Sequence, residues 1–531
     1  MKKLLALFLA LVLLLSGCAT VDEIPTEPPQ TEEGTEIIDI PTEPVQEEEN
    51  EFGLSYLSSY GLNPYTCAAT TNRALFSLMY ECLFVVTDEF RAEPVLCESF
   101  KVSEDGLTYT FTLLDGLTFS DGTPVTTADV EASLAAARKS SLYKYRLSDI
   151  SYYVIEGERT IIFKLKTPYE NFALVMDFPI LKADTVDSAT PIGTGAYELS
   201  GSYLVRNPYW WQTAAPIVDE ERIALLACGE TGELRDNFEF GGADLVYFDP
   251  NSAASVGFRC DYEVWEAPTT ILHYIGFNIY SGYFANDTLR QAVTYIVDRE
   301  TIRNQVYGGF ALASVLPCSP KSDLYDVQLA EKYDYAPASF ISAVQASGVT
   351  ASDDYTNHVG YFIVCSEDPA RVEAAQYICE EMQKYGLNIR LNILDRASYE
   401  SALKSGNFDL YYGEVRLTAN FDLTEFFEDG GNLEFGSIAS SAMVTLCKEA
   451  LENSGSYVEM CAQFMELGRI CPVVFKSNAV YVTRGMITEM EPAVDCVFHG
   501  AQQRTLAEAD KTYSFEEETE EVTEATTEAT E

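Results

Sequence analysis

The chain has 531 residues, with 83 Asp and Glu against 34 Lys and Arg and a formal charge of −49. So acidic a body excludes nucleic-acid binding, because phosphates need a basic face. The roughly 460 residues between its two acidic ends exceed one hydrophobic core and predict two or three lobes.

Met1-Lys2-Lys3 gives a positive start, Leu4 to Leu15 an apolar run, and Ser16-Gly17-Cys18 the small residues before a cut site. This is the pattern of a secretory signal over 1–17. The run is shorter than the about 20 residues that span a bilayer. Leu15-Ser16-Gly17-Cys18 resembles the bacterial lipobox, which implies two acyl chains on Cys18 and anchoring to the cell membrane at its outer face. An ordinary signal peptide with an incidental cysteine is the alternative. Residues 18–51 hold twelve acids and no base, and their Glu, Pro and Thr predict a disordered stalk. The tail 514–531, with eight acids and no base, reads the same way.

Between them, strand and helix patterns interleave. LTYTFTLL (107–114) alternates with period two and predicts a strand. TTADVEASLAAARKS (126–140) follows as a helix, with Thr127 as its cap, Asp129 in the first turn, and Val130, Leu134 and Ala137 on one face. RTIIFKLKTPY (159–169) is a second strand. In GTGAYEL, Gly193 and Gly195 turn the chain into a strand, and Pro208 after Asn207 marks a turn before Trp210 and Trp211. Asp298 caps a helix that Gly308-Gly309 ends. DPARVEAAQYICEEMQKYG (368–386) is an amphipathic helix stopped by Gly386, and LNIRLNIL (387–394) is a strand. The mixture predicts an α/β architecture.

Chemistry-bearing motifs are scarce. Twelve further cysteines lie between 67 and 496 without a CxxC pair, against zinc ribbons and thioredoxin-like chemistry. Cys365 and Cys471 sit in apolar runs, so mostly free thiols are expected, with one or two bridges allowed. His273, His358 and His499 are the three histidines and are too scattered to predict a metal site. With no GxSxG, HExxH or P-loop, neither an enzyme nor a cofactor is expected.

Five blocks, in order, resemble the large peptide- and nickel-binding solute receptors of ABC importers, extracellular solute-binding protein family 5. They are residues 79–134, PIGTGAYEL with VRNPYWW (191–211), 273–309, FDLYYGEVRL (408–417) and ICPVVFKSNAVYVTRG (470–485). The resemblance implies a two-lobed periplasmic-binding-protein fold of class II type with discontinuous domains. Lobe I takes 52–80, 190–270 and 470–513, an inserted domain takes 81–189, and lobe II takes 271–469. It implies a monomer that hinges shut on a small solute, peptide or peptide-like, and delivers it to the permease subunits of an importer. A surface adhesin or sensor partner on the same scaffold is the alternative.

The resemblance places ligand contacts at Tyr65 and Thr66 after the first strand, at Tyr412, Glu414, Arg416 and Asn420, at His273, Tyr274 and Asn278, and at Phe475 and Lys476. Peptide-binding members carry a Trp and then an Asp after the FDL-like strand. Here Val415 and Arg416 stand near the first position, Thr418 and Asn420 near the second, and no acid follows until Asp422. Arg416 therefore offers a fork for a ligand carboxylate or phosphate, or else an inter-lobe ion pair. Glu414 pairs with Arg416 or accepts an amine. One of Tyr411 and Tyr412 is core. For His273 the alternative is a hydrogen-bonded strand-end residue.

Overall fold

The computed structural model describes residues 51–499, apart from 213–217, 219, 253–256, 281 and 349–357, together with the backbone of 502 and 503. The signal, Cys18, the stalk and the acidic tail lie outside the described residues. Among these, no helix is long and apolar enough to cross a membrane.

The strands in chain order are β1 (Gly53–Leu57), β2 (Phe84–Val86), β3 (Ala92–Pro94), β4 (Cys97–Val102), β5 (Thr108–Leu113), β6 (Ile150–Glu156), β7 (Thr160–Leu165), β8 (Tyr197–Ser200), β9 (Tyr203–Arg206), β10 (Arg222–Cys228), β11 (Leu245–Phe248), β12 (Tyr262–Phe277), β13 (Ala311–Ala313), β14 (Gly360–Cys365), β15 (Ile389–Leu394), β16 (Leu410–Arg416) and β17 (Ile470–Thr483). Ten of them form one sheet in the order β15-β14-β16-β12-β17-β11-β1-β10-β9-β8, and β13 joins it by pairing with β17. A separate four-stranded sheet runs β4-β5-β7-β6.

The smaller sheet follows from local pattern. β5 and β7 alternate buried and part-exposed residues, as a sheet with one covered face requires. Phe111 and Phe163 pack edge to face at 5.7 Å, and Phe172 closes over both. The helix Thr127–Ala137 begins one residue earlier than its sequence suggests. Thr126 is the cap, because its backbone is extended (φ −133°, ψ 171°) and Asp129, three residues on, completes a capping box. Thr127 is already helical, and its hydroxyl donates to Gly157 O at 2.9 Å.

Gly193 and Gly195 act differently from the turn expected of them. Neither has a positive φ. A Cβ on Gly195 would lie 2.3 Å from Leu78 O, so the residue is needed for close backbone approach. All twelve cysteines from 67 to 496 are free thiols.

β12 and β17, the two longest strands, join the halves of the large sheet. Toward one end β17 pairs with β11 through Leu245–Phe248, and toward the other β12 pairs with β16 through Ile271–Phe277. Their mutual register breaks between Pro268 and Leu272. There the Thr269 hydroxyl donates to Lys476 O at 2.6 Å in place of a regular ladder bond. One core gathers residues of 52–267 with 480–498, and two others cover opposite faces of the β12-β16-β14-β15 region. The β2–β3 hairpin reaches from the first half to the second. Phe90 packs on Phe421 at 5.0 Å, Arg91 pairs with Asp323 at 2.9 Å, and Asp88 with Lys321 at 2.8 Å.

Candidate functional site

Two polar clusters lie near the crossing strands. The first is built on β12, β16 and β17. Strand alternation places His273 and Tyr274 on opposite faces. His273 is fully buried, hydrogen-bonded through Nδ1 to Tyr307 Oη at 2.6 Å and through Nε2 to Glu414 Oε2 at 2.8 Å. The Lys476 ammonium stands 2.6 Å from Asp249, 3.7 Å from Asp368 and 3.9 Å from Glu414. Arg371 approaches Glu414 at 3.9 Å and donates to Tyr412 O at 3.4 Å. Asp368 also caps the helix Pro369–Lys384, accepting from Arg371 N.

Burial alone would raise the Glu414 carboxyl, but the His273 bond with Lys476 and Arg371 brings it down to about 2. Burial lowers His273, aided by Lys476 and Arg371, against the pull of Glu414. Donor atoms of His273, Asp368 and Glu414 lie within 4.8 Å of one another, close enough for one metal ion. The Lys476 ammonium already supplies positive charge to both carboxylates, so the donor set fits an ion-pair junction better than a metal centre.

The second cluster borders a cavity of about 650 Å³, within the range of small-solute sites. Its wall includes Arg73, Glu81, Tyr143, Trp210, Trp211 and Asp495. Arg73 is ion-paired with Asp495, and Arg146 with Asp177. Arg416, at the end of β16, comes within 3.7 Å of Asp495. Three guanidiniums thus share two carboxylates. Burial acts to raise Asp495, but Arg73, Arg416 and Arg146 outweigh it and hold the carboxyl far below the usual range. Burial lowers Arg416, and the repulsion of Arg73 and Arg146 adds to that against Asp495. Both indole N–H groups, of Trp210 and Trp211, donate to Glu81 at 3.1 and 2.9 Å. Burial still pushes the Glu81 carboxyl up.

Of the residues expected to hold a ligand, the structure brings His273, Glu414 and Lys476 together, with Tyr412 beside them through Tyr307 at 3.4 Å. Glu414 is paired with these partners rather than with Arg416, and His273 lies within the sheet rather than at a strand end. Arg416 belongs to the second cluster. Tyr65 is buried next to the cavity wall, its hydroxyl donating to Pro179 O and its ring edge-on to Tyr143 at 5.6 Å; Thr66 beside it is exposed. Tyr274 is core: a Cβ on Gly413 opposite would lie 2.5 Å from its ring. Tyr411 and Tyr412 are both buried. Phe475 is fully buried against Phe421 at 5.4 Å. Asn278 donates to Gly406 O at 3.1 Å, away from both clusters. Asn420 is buried with Oδ1 unpaired among the described residues. Sequence reasoning missed Arg73, Arg146, Asp177 and Asp495; each stands outside any motif, and only folding joins them.

The model of the bacterial extracellular solute-binding proteins, family 5, matches residues 91–428, more than half the chain. The chain belongs to family 5. The glutathione-binding protein GsiB of Escherichia coli strain K12 is 24% identical to this family 5 protein over 363 residues, covering 63% of the chain and 67% of GsiB. Two solved structures share the fold. A putative peptide binding protein, AppA, from Clostridium difficile superposes with a TM-score of 0.68 at 14% identity, over 85% of this chain and 100% of its own. NikA from Brucella suis, in complex with Fe(III)-EDTA, gives 0.66 at 17%, over 85% and 100%. The family 5 protein therefore has the two-lobed α/β binding-protein fold. It is a solute-binding receptor of the ABC-importer class, from a non-catalytic, extracellular or periplasmic family.

Proposed function

We propose that this receptor captures a small acidic solute, peptide or peptide-like, beside the Arg73–Arg416 cluster and delivers it to an importer. The observation that carries the reading is Arg416. It lies among two other guanidiniums, its one carboxylate neighbour is 3.7 Å away, and among the described residues no hydrogen bond uses its donors. A planar fork with unused donors, beside two further guanidiniums already paired to Asp495 and Asp177, fits a ligand acid group. The His273–Glu414–Lys476 junction serves the hinge, since its members satisfy one another.

Lobe I is assigned to 52–80, 190–270 and 470–513, the insert to 81–189 and lobe II to 271–469, with the hinge at the β12–β17 register break. The protein acts as a monomer tethered through lipid on Cys18. Metabolic labelling with an alkyne-tagged fatty acid tests the anchor: Cys18→Ala should abolish the label.

A thermal-shift screen of glutathione, dipeptides, dicarboxylates and amines tests the ligand class. Stabilisation of about 2.7 kcal/mol is expected at a hundredfold excess over Kd, for acids and not for amines. Arg416→Ala should remove it. Stabilisation by amines alone, or acid binding untouched in Arg416→Ala, would sink the reading.

A further inference from the structure

The carboxylate in the Arg73–Arg416 cluster belongs to the protein itself, and it arrives on an unusual support. Ala493 and Cys496 bond reciprocally, N–H to O at 3.0 and 3.2 Å, and close a two-residue finger with Val494 and Asp495 at its tip. Asp495 has φ 58°, a left-handed conformation that Asp tolerates better than most side chains. Val494 N donates to Val86 O at 3.0 Å. The base is anchored by Val497 and Phe498, and Val494 at the tip is buried as well, so of the two tip residues it is Asp495 that carries the part-exposed side chain.

Geometry at the tip is asymmetric. Arg73 and Arg416 both point an Nη1 at the same oxygen, Asp495 Oδ1. Arg73 is in hydrogen-bond contact, whereas Arg416 is held off at 3.7 Å. One oxygen serves two forks, and the second fork is left half-served. Arg73 opens the helix Arg73–Met79 and Arg416 ends β16, so this one carboxylate ties together segments remote in sequence. It stands at the wall of the cavity, part-exposed like Arg416.

We propose that Asp495 is an internal stand-in for the acid group of the solute. The finger keeps the anion seat between Arg73 and Arg416 filled, and an acidic solute takes Arg416 by displacing Asp495 from it. Asp495 thereby sets a threshold for specificity: a solute without an acid group cannot compete with it. This inference rests on the acidic-solute reading above.

The test removes the stand-in and supplies another. Asp495→Gly suits the φ of the turn and should lower the thermal midpoint of the full chain. Potassium acetate should restore the midpoint where potassium chloride at the same ionic strength does not, and the wild type should ignore both. Glutathione, which carries more carboxylate than ammonium at neutral pH, serves as the solute probe in calorimetry. Its affinity should rise about tenfold in Asp495→Gly, and Arg416→Ala should cancel the gain. Asp495→Asn, which keeps the shape of the turn, should show the same gain and covers the case in which the glycine variant folds poorly. Equal effects of acetate and chloride overturn the stand-in, and so does a glutathione affinity that stays absent, unchanged or lower without Asp495. If Arg416→Ala abolishes acid binding while the Asp495 variants gain nothing, only the stand-in fails. If Arg416→Ala leaves acid binding intact, the acidic-solute reading fails with it.

Discussion

Lys476 holds three carboxylates at the joint of the sheet, and its side chain is only 7% exposed. Lys476→Met would leave Asp249, Asp368 and Glu414 facing one another without the ammonium. Losing one partner of a buried ion network costs about 3–5 kcal/mol, which urea denaturation should register, and Asp249→Asn in the same chain should recover part of it. Glu414 makes the junction pH-dependent. Its carboxyl sits at about 2 in the folded protein, below an unfolded value of about 4.3. The folded state therefore gains from its ionisation above the unfolded value and loses that gain as pH falls toward about 2. The urea midpoint should drop on acidification through this window, less steeply in Glu414→Gln. A flat profile in both proteins would contradict the assignment. His273, Glu414 and Lys476 were marked by the family resemblance, and the structure brings them together. Their satisfaction by one another was not legible, since Asp249, Asp368 and Tyr307 are distant in sequence. Arg416 was legible as a fork in search of a carboxylate; Asp495, on a turn whose left-handed residue is not a glycine, carried no local sign.

At the scale of elements, local periodicity did most of the work. The alternation of LTYTFTLL appears as β5, that of RTIIFKLKTPY as β7, and LNIRLNIL as β15. The helix expected over 368–386 runs Pro369–Lys384, with Asp368 as cap and Gly386 at φ 95° after its end. What periodicity could not supply is the exact cap, Thr126 rather than Thr127, and the long-range approach at Gly193 and Gly195 that lets two backbones meet. Asp129 shows the difference in energy. One of its oxygens accepts from Thr126 N at 2.8 Å, and the other from Ala183 N at 2.9 Å. Thr126→Ala removes a cap and should cost about 1 kcal/mol. Asp129→Ala removes the same box and also orphans a backbone N–H from a distant segment. It should cost more than Thr126→Ala, by about 1–3 kcal/mol, and chemical denaturation of the two variants side by side checks the order.

The whole molecule depends on two strands that run through both halves of one sheet. Its fold class was legible from alternating strand and helix, but its strand order was not, because β1 pairs with β10 and β11 across long intervening segments. The halves share β12 and β17, whose mutual register breaks between Pro268 and Leu272, so non-covalent contacts across the cleft also bias the angle between them. Arg91–Asp323 and Asp88–Lys321 are such contacts, both on the solvent-exposed rim. An exposed pair is worth about 0.2–1 kcal/mol, too little to hold the fold together but enough to shift an opening equilibrium. Only the shut form surrounds a solute, so apparent affinity scales with the shut population. Asp88→Ala with Asp323→Ala should therefore weaken solute binding by about 2- to 30-fold and enlarge the radius of gyration of the ligand-free protein in small-angle scattering. Its thermal midpoint without ligand should stay near that of the wild type, because the buried cores, with Phe90 against Phe421, are untouched. Raising ionic strength should weaken wild-type binding in the same direction, since the screening length falls from about 10 Å at 0.1 M to about 3 Å at 1 M and exposed pairs weaken with it. If the double variant binds as well as the wild type and scatters identically, these rim pairs do not govern closure, and control of the hinge passes to the buried junction around Lys476.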